Sequence, residues 1–197
     1  KEAVPKIIKG RSYDNGIICS AEQSVICPEA DFEDILKEFE ANGALIVRDK
    51  EGLEKLRGAL CEDGKTNRHS VGQNCQKIGT GATDALGGEK MAPVISAYAY
   101  KDLDDGIRIA AENLERDGKG HSVSFHSDSE EHIAKVAESL CVSRFVINQC
   151  SSNSTGGSYY NGLNPTNTLG CGSWGHNSIS ENLNYTHLMN VSRVARF

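Results

Sequence analysis

Apolar positions along the chain alternate between helical and extended spacing. Phe32, Ile35, Leu36 and Phe39 fall at i, i+3, i+4 and i+7, acidic residues crowd the first turns, and Gly43 is placed to end the helix. This predicts a helix over Pro28–Gly43. Ala44–Val47 is a short apolar run suited to a buried strand, and Leu53, Leu56 and Leu60 share one face of a helix over Lys50–Cys61. Pro93–Tyr100 reads as a strand. Asp102 is placed to cap a helix running to about Asp117, with Leu103, Ile107, Ala110 and Leu114 inward. A strand follows over His121–His126, then a helix capped by Ser129 with Ile133, Val136, Ala137 and Leu140 as its stripe, then a strand over Arg144–Ile147. Helices alternating with short apolar strands predict an α/β fold: a mostly parallel sheet flanked by helices.

The pattern fails over residues 149–184, which are rich in Gly, Ser, Asn and Thr. A loop of that length inside a compact domain is usually functional or disordered. The density of Gly and amide side chains around Trp174 favours an ordered loop that forms a site. Val191–Phe197 is read as an edge or oligomerisation strand, and residues 1–190 as one cysteine-bearing domain.

Composition narrows the function. The 197 residues carry 21 Lys+Arg against 27 Asp+Glu, a net charge of -6, with no basic stripe; no nucleic-acid partner is expected. No apolar run approaches the ~18–20 residues that span a bilayer, and Lys1–Gly10 lacks the features of a signal peptide, so no membrane partner is expected and the location is read as cytoplasmic. None of the seven cysteines forms a C-x-x-C pair, so no metal set is indicated. In a reducing compartment the plain reading is packed thiols, with one that reacts.

Cys19 is the candidate. It lies between the turn signal Asn15-Gly16 and a hydrophobic stretch, where the chain changes direction. Such a position aims backbone N–H groups at a sulfur and at an attached oxyanion, and carbonyl chemistry needs both. Asp14-Asn-Gly-Ile-Ile-Cys19-Ser-Ala-Glu-Gln-Ser-Val25 resembles the cysteine signature of the CoA-acylating aldehyde dehydrogenases. Three more blocks match in the same order: Gly88-Glu89-Lys-Met-Ala-Pro93-Val94, Gly118-Lys-Gly-His121-Ser122, and Leu169 through Asn182.

The resemblance implies a catalytic-domain fold of the aldehyde dehydrogenase type. It implies oxidation of a small aldehyde to acyl-CoA, reversibly, with NAD or NADP as cofactor and coenzyme A as co-substrate. Cys19 would be the nucleophile, His121 a proton acceptor near the sulfur, and Glu89 the carboxylate facing the cofactor's nicotinamide ribose. Ser151, Ser152, Asn153, Gly170 and Gly172 would form the substrate loop, with Arg144 and His176 as further anion partners and Cys171 as the competing thiol. Residues 156–165 and 182–191 look most like the succinate-semialdehyde branch, which implies an aldehyde bearing an anionic group; a bacterial microcompartment is the alternative location.

The resemblance covers only the second half of a family member. The cofactor-binding domain would precede Lys1, the stretch from Gly72 to Glu89 is short, and this polypeptide alone is expected to be inactive; the full-length protein is expected to be a homo-oligomer. Gly170-Cys-Gly-Ser-Trp-Gly175 fits G-x-G-x-x-G but neither follows a strand nor opens a βαβ unit, so it is not read as a dinucleotide site. Two competing classes remain: a cysteine hydrolase or acyltransferase needing no nicotinamide, and a non-catalytic interaction module.

Overall fold

The computed structural model describes residues 2–62, 65–74 and 89–197. The bridge-like stretch Gly79–Gly88 and Cys75 lie outside the described residues. The chain opens with a helix, α1 (Ala3–Ser12), that the apolar pattern did not predict. A left-handed turn then leads past Cys19 into strand β1 (Ser24–Pro28). Helix α2 (Phe32–Ala41), preceded by one 3-10 turn, and helix α3 (Lys50–Leu60) follow as predicted. A two-residue hairpin, β2 (Cys61–Glu62) with β3 (Lys65–Thr66), ends the first part. The second part runs β4 (Ser96–Tyr100), α4 (Leu103–Arg116), β5 (Gly120–Phe125), α5 (Glu130–Ser139) and β6 (Val142–Ile147).

Two predicted caps are present. Asp102 accepts from the Asp105 amide at 2.9 Å and Ser129 from the His132 amide at 3.3 Å, each satisfying one orphan donor of a first turn. The sheet is parallel where it counts: β1 pairs with β4 and β5 with β6, each in parallel register. Helices cover both faces. Val25 of β1 packs with Val4, Ile7 and Phe39 of α1 and α2, whereas the neighbouring Ser24 donates to Asn113 of α4 at 3.5 Å. Successive strand residues point to opposite faces, so α1 and α2 lie on one side and α4 on the other.

Ala44–Val47 is not a strand. The Ala44 amide is already spent on the Phe39 carbonyl at 3.0 Å, closing α2 after Gly43. Arg48 then forks onto Glu33 at 2.8 Å through both nitrogens, and the segment runs back along its own helix. Ala44 and Ile46 face the core while Leu45 stays 67% exposed. Alternation is kept without a partner strand among the described residues.

Phe39, 3% exposed at the centre of this cluster, is the test of it. Phe39→Ala should cost about 3–5 kcal/mol in urea unfolding, from lost transfer energy and a cavity. Leu45→Ala should stay within about 0.5 kcal/mol.

Candidate active site

Three residues in a row after α1 take positive φ: Asp14 at 48°, Asn15 at 51° and Gly16 at 74°. Asp and Asn tolerate this region better than other side chains, and glycine adopts it freely. At Gly16 no other residue fits, because a Cβ would stand 2.5 Å from the carbonyl oxygen of Ala92. The turn reverses the chain and leaves Cys19 exposed, with the backbone N–H groups of Cys19 and Ser20 close enough to favour its thiolate.

Arg11, at the end of α1, is buried and donates through Nη2 to the carbonyls of Lys90, at 2.7 Å, and of Ala92. The Glu89 amide donates to Asp117 at 2.9 Å and the Lys90 amide to Gln23 at 2.9 Å. Residues 89–92 are thereby fastened to both α1 and the end of α4. On the other side, the Ser151 amide donates to Glu22 at 2.7 Å, and Ser20 Oγ reaches the Ser152 carbonyl at 3.5 Å.

Cys19, Glu89, His121 and Ser151 therefore line one cavity of about 560 Å³. Cys19 stands before the first residue of β1, and His121 is the second residue of β5, so the chemistry gathers at the amino ends of the parallel strands. Ser152 lies buried just behind Ser151, with its hydroxyl 3.2 Å from Cys150 Sγ, and Asn153 is exposed and outside the lining. Gly170 and Gly172 do not line the cavity either. Their amides pair with the carbonyls of Glu181 at 3.0 Å and Ile179 at 2.8 Å, forming a tight loop that backs the turn before His121. Close approach is essential there: a Cβ on Gly120, at φ 84°, would lie 2.3 Å from the Cys171 oxygen.

Arg144 is not an anion partner. At 2% exposed, it donates to the Gly170 carbonyl at 2.8 Å and to Cys171 Sγ at 3.9 Å. Asn182 completes the tie, donating to the carbonyls of Thr155 and Asn164 at 2.9 and 2.8 Å while its own oxygen faces Arg144 at 3.4 Å. The loop of residues 149–184 is thus ordered by buried polar side chains, beginning with the short helix α6 (Ser151–Ser154). Trp174 is 46% exposed and His176 is exposed in a left-handed conformation. Sequence reasoning missed Arg11, Glu22 and Asn182; the four-residue setting of Glu22 beside Cys19 was the one available signal.

Electrostatics favour the uncharged forms of Cys19 and His121. Burial, the Glu89 carboxylate and the nearby Cys171 push the Cys19 thiol upward, against the lowering effect of the two amide donors. Burial and Arg144 hold His121 down at about 4, not near neutrality as a free imidazole would be. Its Nδ1 lies 2.5 Å from Ser122 Oγ. Glu89 is itself raised by burial and by Asp117.

Comparison with known proteins finds relatives along the whole chain. The chain is 45% identical over 216 aligned positions, covering 100% of its length, to the acetylating succinate-semialdehyde dehydrogenase of Clostridium kluyveri. The chain is homologous to the acylating aldehyde dehydrogenases. It is also 32% identical to an aldehyde-alcohol dehydrogenase of Clostridium acetobutylicum, over 99% of the chain and 25% of that protein. The solved structure of an acetylating aldehyde dehydrogenase from Geobacillus thermoglucosidasius superposes with a TM-score of 0.90 at 28% identity, over 100% of this chain and 47% of that one. No family model matches. The chain spans 48% of the Clostridium kluyveri relative's length, about half. The 216 aligned positions exceed the chain's 197 residues, so that relative carries residues this chain lacks.

Two measurements check the electrostatics. Iodoacetamide labelling of Cys19 should require a higher pH than an ordinary thiol, and Glu89→Gln, by removing the charge that raises the thiol, should speed labelling at pH 7. His121 binds its proton more readily in the unfolded chain than in the folded one, so it contributes stability that is present above pH 6.5 and lost as the pH falls toward about 4. His121→Gln should flatten that part of the unfolding-free-energy profile, measured as the difference from the unsubstituted chain.

Proposed function

We propose that this chain is the cysteine-bearing half of an enzyme that converts a small aldehyde and coenzyme A to acyl-CoA, reversibly, with a nicotinamide cofactor as hydride acceptor. The observation that carries this reading is that exposed Cys19 lines one cavity together with Glu89 and His121, with the Glu89 carboxylate near enough to act on its thiol. The Cys19 thiol adds to the aldehyde carbon and gives a thiohemiacetal, its proton passing to His121 Nε2, the ring nitrogen not engaged by Ser122. The backbone amides at Cys19 and Ser20 meet the developing negative charge. Loss of hydride from the carbon of the resulting alkoxide re-forms the carbonyl and leaves a thioester on Cys19, the one proton released being that already taken from the thiol. The thiol of coenzyme A then displaces Cys19, releasing acyl-CoA and restoring the thiol.

The nicotinamide supplies the hydride acceptor; whether it is NAD or NADP depends on contacts outside this chain. Glu89 fits such a group as a half-exposed carboxylate on the cavity wall next to the sulfur, placed to accept hydrogen bonds from a ribose. The cofactor-binding domain would come from the polypeptide before Lys1, and residues 1–190 without it would turn over nothing. Ser151 and Ser152 would orient the aldehyde, with Asn153, Gly170 and Gly172 shaping the loop behind them. An aldehyde with an anionic group, as in succinate semialdehyde, is favoured by the 45% identity to an enzyme named for that substrate.

Val191–Phe197 forms no strand pairing among the described residues, yet Val191, Val194 and Phe197 stand exposed. An edge strand in a homo-oligomer of the full-length protein would cover them. Among the described residues no helix is long and apolar enough to cross a membrane, in keeping with a cytoplasmic or microcompartment enzyme.

In the full-length protein, Cys19→Ser should lower acyl-CoA formation by at least about 10³-fold, as loss of a nucleophile does, with the fold unchanged by circular dichroism. Thioester hydrolysis by the full-length protein without nicotinamide, at a rate matching its aldehyde oxidation, would instead establish the hydrolase reading.

A further inference from the structure

Two walls of the Cys19 cavity meet at one side chain. The Ala21 amide donates to the Ile18 carbonyl at 2.9 Å, so Cys19 and Ser20 are the central residues of a tight turn. Glu22 is the residue directly after that turn. Its Oε1 accepts the Ser151 amide at 2.7 Å, and Ser20 Oγ reaches the Ser152 carbonyl at 3.5 Å. The Cys19 turn therefore grips the first turn of α6 at two points. The carboxylate-to-amide contact is the short, charge-assisted one. The other end of α6 is tied from behind: the Thr155 hydroxyl donates to the Ser151 carbonyl at 3.0 Å, and Asn182 to the Thr155 carbonyl at 2.9 Å.

The sequence makes room for this contact. Gly10 is buried inside α1, where alanine would serve the helix better. A Cβ there would collide with both carboxylate oxygens of Glu22, so the helix gives up a side chain where the carboxylate passes. Burial pushes the Glu22 carboxyl above its ordinary range, against the lowering effect of its own amide, the Ser151 amide, the Arg11 charge and Cys150. A protonated carboxyl still offers a carbonyl oxygen, so the grip on Ser151 needs an acceptor and not a charge.

We infer that Glu22 is a positioning residue: by holding the Ser151 amide, it fixes how far the first turn of α6 stands from the Cys19 sulfur. This rests on the reading of Ser151 as a group that orients the aldehyde, and Glu22 acts through it. Reacting atoms must approach to about 3–3.5 Å, and a group misplaced by about 1 Å costs up to about 10²-fold in rate. A cavity whose opposite walls are set by one short contact meets that tolerance.

The test uses the full-length protein and three substitutions. Glu22→Ala removes the acceptor, and Glu22→Gln keeps an oxygen in its place. Gly10→Ala leaves Glu22 intact but puts a methyl group where its carboxylate lies, in a residue that favours the helix. Hydrogen exchange at the Ser151 amide reads the contact whatever reaction Cys19 performs. It should quicken by roughly tenfold in Glu22→Ala and Gly10→Ala, as loss of one hydrogen bond implies, and return to the unsubstituted rate in Glu22→Gln. KM for the aldehyde should rise by roughly tenfold in the same two variants and recover in Glu22→Gln, with KM for coenzyme A unmoved. A merely structural defect would lower kcat and leave both KM values alone. Unchanged Ser151 exchange in Glu22→Ala would overturn the inference. So would faster exchange with unaltered aldehyde kinetics, or Glu22→Gln failing alongside Glu22→Ala. If the unsubstituted protein oxidises no aldehyde, the reading of the site fails instead, and the exchange rates alone decide whether Glu22 holds α6.

Discussion

One backbone crossing holds the cleft together. The left-handed turn after α1 brings Gly16 against the Ala92 carbonyl with no room for a side chain, and Arg11 reaches past it to bind the carbonyls of Lys90 and Ala92. Through these contacts the segment carrying Glu89 and the loop carrying Cys19 become one rigid unit. Arg11 is costly to bury: its Nε and Nη1 have no partner, and burial lowers its pKa to about 10. Its value is positional, since a buried cation with incomplete pairing is weak support for stability. The strain of Asp14 and Asn15 belongs to the same account, as residues in sparsely populated backbone regions cluster at functional sites.

A second unit meets the first across the cavity. Arg144 and Asn182 bind the carbonyls that the Gly- and Ser-rich loop leaves unpaired, replacing the regular ladder such a sequence cannot form. Rigid backbone results without helix or sheet, and this presents Ser151 and the turn before His121 at fixed positions. The two units touch through Glu22 and Ser151. A loop without regular periodicity is therefore, as its amide-rich sequence suggested, as firmly specified as the strands beside it.

The helices were legible because α2, α3, α4 and α5 each bury one stripe, and amphipathic spacing records that directly. α1 escaped notice although Val4, Ile7 and Ile8 keep the spacing, because Pro5 and Gly10 interrupt it. Ala44–Val47 misled for a different reason: extended apolar spacing shows which residues face the core, but not whether a neighbouring strand is there. At the site, Cys19, Glu89 and His121 could be found from local motifs. Glu22 and Asn182 lie inside such motifs too, but their contacts and those of Arg11 could not be read there, since the partners lie 129, 27 and 79 residues away and only the folded chain reveals them. The role first given to Arg144 failed because exposure cannot be read from a charge.

Burial and the Glu89 carboxylate both work against charge on the Cys19 sulfur, in contrast to the anion-welcoming helix N-termini that lower the pKa of many reactive cysteines. Peroxides and stray electrophiles attack thiolates, not thiols. A thiol held protonated in this way is protected from those reagents.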